Sequence, residues 1–243
     1  MRRVWILALV CLLVGVACDI SVPDVNLPEI SMPEIKMPEI DLSEISLPEL
    51  DLSLLNIFKP ETIAGSGNVV EENRVMGNYR EVTLSGVGDL ILEQSDSEGL
   101  VVSAEDNLIQ YIRTEVSQGK LIIGVQPGIT LQPTQPVTYH LKINILEALN
   151  LSGSGTIESV GIVGRRLKVN MDGSGHIKIL NLDANALEVK LSGSGDVELA
   201  GNILEQDVNI SGAGNYVSPE LHCGISRIKI PGSGSAYVEA TNR

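Results

Sequence analysis

From residue 148 onward, apolar and polar positions alternate in short bursts separated by glycine. Leu167, Val169 and Met171 enclose Lys168 and Asn170, and Ile177 and Ile179 follow after a Gly-Ser-Gly phrase. The next unit gives Leu187, Val189 and Leu191, then Val197 and Leu199. Val208 and Ile210, then Ile228 and Ile230, continue the series. A period of two residues describes half-buried strands. The glycine phrases between them read LSGSGT, MDGSGH, LSGSGD, ISGAGN and IPGSGS. Their first glycines are Gly153, Gly173, Gly193, Gly212 and Gly232, so the steps are 20, 20, 19 and 20 residues. Two more copies lie upstream, AGSGN at Ala64 and LSGVGD at Leu84.

A fixed period of this length marks a repeat architecture, in which each unit buries its apolar face only by stacking on its neighbours. No helical pattern alternates with the strands, so crossover helices are missing. The fold expected is therefore all-β: a parallel β-helix or solenoid with coils of about 20 residues. Each strand would pair with its equivalent one coil away, at ~4.8 Å. The glycines would mark a corner, either by adopting positive φ or by letting backbones approach closely. The competing architecture is an antiparallel meander or sandwich, which needs regular hairpin turns such as Asn-Gly.

Between Leu90 and Leu149 the period breaks. Strand-like runs cover Leu90 to Glu93, Leu100 to Ala104, Lys120 to Val125 and Val137 to Ile145. Asn107 to Val116 has the character of a short helix or turn, and Pro127, Pro133 and Pro136 mark a loop. This section is expected to form an irregular N-terminal lobe that caps or widens the first coils.

The first 60 residues differ in kind. Arg2 and Arg3 precede an unbroken apolar run from Val4 to Val16, which fits the hydrophobic region of a signal peptide and is short for a membrane span. Residues 1–17 end in Val16-Ala17 before Cys18, which resembles the bacterial lipoprotein signal, whose cysteine takes the lipid. Gly15 stands where leucine is usual in that signal. The alternative is an ordinary signal peptide with an incidental cysteine. Residues 18–60 then follow as the lipidated cysteine plus a stalk with a five-residue repeat, including NLPEI, SMPEI and KMPEI. Proline at this frequency excludes a continuous helix and denies a sheet its donors, which leaves an extended polyproline-like spacer.

The phrases AGSGNVVEENR, VTLSGVGDLILEQ, AEDNLIQYI and LQPTQPVTYHL, together with the recurring LSGSG, resemble the putative auto-transporter adhesin head GIN domain family over residues 61–243. The resemblance implies a right-handed β-helix-like fold, an envelope location and no defined catalytic activity. The chain stops after SAYVEATNR, where members of the family usually add a further strand and glycine phrase. A strand edge open to self-association is therefore expected at that end.

Net charge is −14, and loss of residues 1–17 would take it to −16. A chain this acidic is expected to bind neither nucleic acid nor anionic lipid through general electrostatics. Beyond Cys11 and Cys18, only Cys223 remains, which excludes an internal disulfide framework; its thiol is expected to be buried and inert. His140, His176 and His222 show no metal-ligand spacing, and the glycine phrases lack the Lys-Ser/Thr ending and helix of a phosphate loop. The serines between the glycines lack the strand-to-helix elbow of a nucleophile. No cofactor is implied.

One polar set stands out after each glycine phrase: Asp89, Thr156, His176, Asp196, Asn215 and, last, Ser235. In a parallel coil these residues form a column along one edge. It would be a solvated corner or, in a functional reading, a cation or glycan site. The chain therefore reads as a non-catalytic lipoprotein, exported and lipid-anchored to the bacterial cell envelope. Its membrane partner is the N-terminal lipid, and its head, facing outside the cytoplasm, contacts a surface, a glycan, a protein or itself. The alternatives are a polysaccharide-cleaving β-helix enzyme and an envelope assembly or stress-sensing module.

Overall fold

The computed structural model describes residues 60–239. The expected signal peptide, Cys18 and nearly all of the proline stalk lie outside the described residues.

The described chain is all-β apart from one 3-10 turn at Ile109–Tyr111. Nine strands form the N-terminal lobe: β1 (Glu61–Ala64), β2 (Val69–Arg74), β3 (Glu81–Ser85), β4 (Asp89–Gln94), β5 (Gly99–Glu105), β6 (Ile112–Ser117), β7 (Lys120–Val125), β8 (Ile129–Gln132) and β9 (Thr138–Ile143). Eight more carry the repeats: β10 (Ala148–Leu151), β11 (Thr156–Ser159), β12 (Ile162–Met171), β13 (His176–Leu191), β14 (Asp196–Ile210), β15 (Asn215–Ser218), β16 (Leu221–Lys229) and β17 (Ser235–Val238). Except for β1 and β8, which pair with each other, all belong to one curled 15-stranded sheet.

Within the repeats every pairing is parallel, and the registers follow the glycine steps. Leu149 faces Val169, which faces Val189, which faces Val208. On the other side of the glycine corner, Ile157 faces Ile177, then Val197, then Tyr216. All eight are at most 1% exposed and belong to one core. Fully burying a side chain of this size stabilises by ~1.5–3 kcal/mol, so each added repeat is held chiefly by its own aliphatic rows.

Separate short strands were expected within each repeat. Instead, β13 runs continuously through 16 residues and β14 through 15, each bending from one wall to the next. The 19-residue step has a visible cause at this bend. Ile179 pairs with Leu199 and Leu182 with Gly201, so Leu180 and Asn181 lie opposite Ala200 alone. Gly201 absorbs the missing residue with φ 132°, a conformation open to glycine.

The glycine phrases stack, but positive φ is not why the five regular copies need glycine. A Cβ on Gly173 would overlap the carbonyl oxygen of Gly153, and one on Gly193 would overlap that of Gly173. The second glycines repeat the pattern, Gly175 against Gly155 and Gly195 against Gly175. Backbone bonds thread the same seam: Ser174 N donates to Gly153 O at 3.1 Å and Ser194 N to Gly173 O at 3.1 Å. Positive φ belongs to the upstream copies, at Gly67, Gly86 and Gly88.

The sheet as a whole is mixed, where a parallel coil with an irregular N-terminal lobe is expected. The pairs β2–β5, β5–β9 and β6–β7 are antiparallel, and all three lie in the lobe. The β6–β7 hairpin has a local reason. Its two loop residues, Gln118 and Gly119, both take positive φ (52° and 76°), the geometry of a tight twisted hairpin. Asn107 to Val116, expected as helix or turn, divides into the 3-10 turn and strand β6. At the other end, among the described residues, β16 pairs only with β14 and β17 only with β15.

Candidate functional site

The post-glycine residues are the first residues of β4, β11, β13, β14, β15 and β17, so the registers place them side by side. Asp89 pairs with Thr156, Thr156 with His176, His176 with Asp196, Asp196 with Asn215 and Asn215 with Ser235. Thr138 of β9 extends the row beyond Asp89. Towards the C-terminal end of the row the side chains bond to one another. Asn215 Nδ2 donates to Asp196 Oδ1 at 2.8 Å, and Ser235 Oγ donates to Asn215 Oδ1 at 2.6 Å. His176 turns to the neighbouring row, where its Nε2 lies 3.8 Å from Glu198, a carboxylate that Lys178 also holds at 2.9 Å. Among the described residues no group of three or more His, Cys, Asp or Glu gathers as metal ligands.

The other singled-out residues are dispersed. His140 is exposed on β9, between Ile91 and Val101. His222 lies on β16 opposite Asn202. Cys223 is half-buried rather than buried; its thiol donates to Ile225 O at 3.0 Å and is pushed up by burial.

Two arrangements escaped the sequence reading. The first is a buried clamp. Glu105 is fully buried, and its carboxylate accepts from Gly67 N at 2.7 Å, Thr134 N at 3.0 Å and Thr134 Oγ1 at 2.5 Å. The Thr134 hydroxyl chiefly, with these backbone donors, holds its pKa below the usual glutamate value. Asn107 Nδ2 adds a bond to Ala64 O at 2.8 Å. The AGSGN phrase is thus tied to the AEDN phrase and to the proline loop, a structural role that explains why these distant motifs occur together.

The second is a pair of adjoining recesses on the outer face of the wall built from β10, β12, β13 and β14. A recess of about 880 Å³ is lined by Arg80, Glu147, Arg165, Arg166, Lys168 and Ala186, among others. A neighbouring recess of about 420 Å³ shares Arg166 and Ala186 and adds Glu188, Lys190, Glu205, Asp207 and Arg227, among others. The dipeptide Arg165-Arg166, in a stretch that otherwise alternates, was the available signal. Both residues are exposed because the chain bends there between Ile162 and Leu167, which both point into the core.

Acids and bases meet in the smaller recess, as a polysaccharide-cleaving enzyme would require. Their electrostatics run against that chemistry. The hydrogen bond from Lys190 Nζ, 2.9 Å away, holds the Glu188 carboxyl below its ordinary range, with Lys190, Lys168 and Arg166 adding attraction. The same contact pushes Lys190 up. A general acid needs a raised carboxyl and a lysine base a lowered ammonium, the reverse of both shifts.

Comparison with known proteins agrees with this all-β head. A family profile described as "Putative auto-transporter adhesin, head GIN domain" matches residues 78–243. Among solved structures, one described as a putative adhesin from Bacteroides fragilis aligns with a TM-score of 0.66 at 16% identity, covering 73% of this chain and 100% of its own. A putative adhesin from Parabacteroides merdae aligns at 0.57 and 21% identity, over 73% and 84% of the two chains. A structure described as a putative lipid binding protein from Parabacteroides distasonis aligns at 0.56 and 23% identity, over 74% and 100%. No match was found among curated proteins. At these identities the structural likeness establishes the fold alone.

Proposed function

The chain belongs to the family described as "Putative auto-transporter adhesin, head GIN domain", and from that premise we propose that it is a non-catalytic, lipid-anchored envelope protein with an adhesive head. The head contacts a surface, a glycan or a second copy of itself. In this reading the repeats wind as a right-handed parallel β-helix, supported by the all-parallel pairings from β10 to β17. Residues 1–17 direct export, Cys18 carries the lipid, and the proline repeat holds the head away from the membrane and outside the cytoplasm. The row from Asp89 to Asn215 forms a polar ridge on the head. Exposed Ile225 and Tyr237 on the last strands offer a contact for a second copy.

The observation that carries the non-catalytic reading is the Glu188–Lys190 pair. In the smaller recess Glu188 and Lys190 pair at 2.9 Å, which holds the carboxyl below and the ammonium above its ordinary range. Two measurements test the proposal. Incubation with acidic polysaccharides, with and without calcium, is expected to leave polymer length unchanged, while a glycan and host-surface array shows retention. Cleavage would overturn it. Palmitate labelling in a bacterial host is expected to disappear in Cys18→Ser, and labelling that persists removes the anchor.

A further inference from the structure

The larger recess combines features that point to one kind of ligand. Its acids are occupied: Glu147 pairs with Arg80 at 2.8 Å, and Glu81, also on its rim, pairs with Lys120 at 3.3 Å. Lys168 has only a loose contact with Glu188, at 4.0 Å, and Glu188 is already held by Lys190. Arg165 and Arg166 form no ion pair with any described residue. A protein of net charge −14 thus gathers two guanidiniums and an ammonium in one concavity, with Arg165 in no ion pair among the described residues and Arg166 and Lys168 drawn only loosely to the already paired Glu188. Free cations in a recess focus potential on an anion, and a guanidinium fork matches a carboxylate in two hydrogen bonds.

Shape narrows the choice further. Small residues open the recess: Gly164 lines it on β12, and Ala186 lines it on β13 beside its register partner Arg166. Beneath it, Leu146, Leu167 and Leu187 are at most 2% exposed and fill the core, which leaves no slot for an acyl chain. The smaller recess continues across the strands, through the shared Arg166 and Ala186, towards Arg227 of β16. The combined groove therefore runs across successive strands, spaced ~4.8 Å apart. A linear sugar chain can lie along such a groove and present one unit to each of its stations.

We propose that this groove binds an anionic polysaccharide, with Arg165, Arg166 and Lys168 gripping the carboxylate of one sugar unit and the smaller recess receiving the next. The proposal rests on the adhesive reading for its class of partner. It places the contact on the arginine wall, not on the row from Asp89 to Asn215.

The test uses the full chain and polygalacturonate, with neutral dextran and phosphatidylglycerol vesicles as comparison ligands. Polygalacturonate binds, dextran does not, and affinity falls as salt rises from about 0.05 to 0.5 M. The triple variant Arg165→Ala/Arg166→Ala/Lys168→Ala loses at least tenfold in affinity with an unchanged melting temperature. Arg165→Lys/Arg166→Lys, which keeps charge but not the fork, falls between. His176→Ala/Asp196→Ala, beyond the glycine corner and outside both recesses, binds as the parent does. Several results overturn the proposal: no binding of polygalacturonate, binding that the triple variant retains, or vesicle binding abolished by the triple variant while the polymer is ignored. Retention of neutral glycans by parent and triple variant alike would leave the adhesive reading standing and this groove refuted.

Discussion

The repeat half and the N-terminal lobe of this head are built on different principles. From β10 to β17 every pairing is parallel, equivalent residues stack on one another, and the phrase glycines are required because backbone lies where a Cβ would be. In the lobe, antiparallel pairs mix with parallel ones, and glycine serves at Gly86, Gly88 and Gly119 through positive φ. The repeat half is held by one solution used many times. The lobe is held by single-use contacts, with the buried Glu105 carboxylate at their centre. Damage should accordingly spread along the rows in the first and stay local in the second.

The largest expected effect comes from Gly173→Ala. The new methyl group collides with Gly153 backbone and cannot be relieved by moving a side chain, so the variant is destabilised by about 3 kcal/mol or more. Gly99→Ala in the lobe meets nothing within 4 Å and changes stability by less than about 0.5 kcal/mol. Equal effects in denaturant titrations of the two variants would dissolve the contrast.

Glu105→Gln comes next, with an effect confined to the lobe. Amide exchange around residues 64–68 and 133–136 speeds up while the repeats keep their protection. The parent shows the same split with pH. Because the folded pKa of Glu105 is lowered, its contribution is fully present above the unfolded value of 4.5 and is lost as pH falls through the lower folded value. Lobe protection that stays flat to pH 2 would remove the clamp from the account.

A more modest loss is expected from Tyr216→Phe. The Tyr216 hydroxyl donates to Gln206 Oε1 at 2.7 Å, and Gln206 is a buried polar residue where the preceding repeats place Leu167 and Leu187. Losing that bond costs ~1 kcal/mol, which thermal melts can resolve.

The same contrast explains how much of the molecule was legible in its residues. Val169 and Val189 announce themselves by alternation and spacing, because stacked strands demand the same residue type at the same place in every turn. The adjacency of Asp89, Thr156, His176, Asp196 and Asn215 follows from that periodicity. Glu105 gives no such signal, since a carboxylate's burial depends on donors from Gly67 and Thr134, distant in the chain. The Gln118-Gly119 hairpin was hidden because glutamine seldom takes positive φ. The arginine groove was half legible: Gly164-Arg165-Arg166 breaks an alternation, but Ala186, which completes the hollow, comes from the neighbouring turn.

The central claim is that the repeats stack in parallel register through the glycine seam. With the native cysteines replaced by serine, nitroxide labels at Thr156 and Ser235 measure it across four successive pairings. The account predicts a narrow distance distribution, with the backbone positions ~19 Å apart at ~4.8 Å per strand. A broad distribution, or one centred beyond about 30 Å, would contradict it.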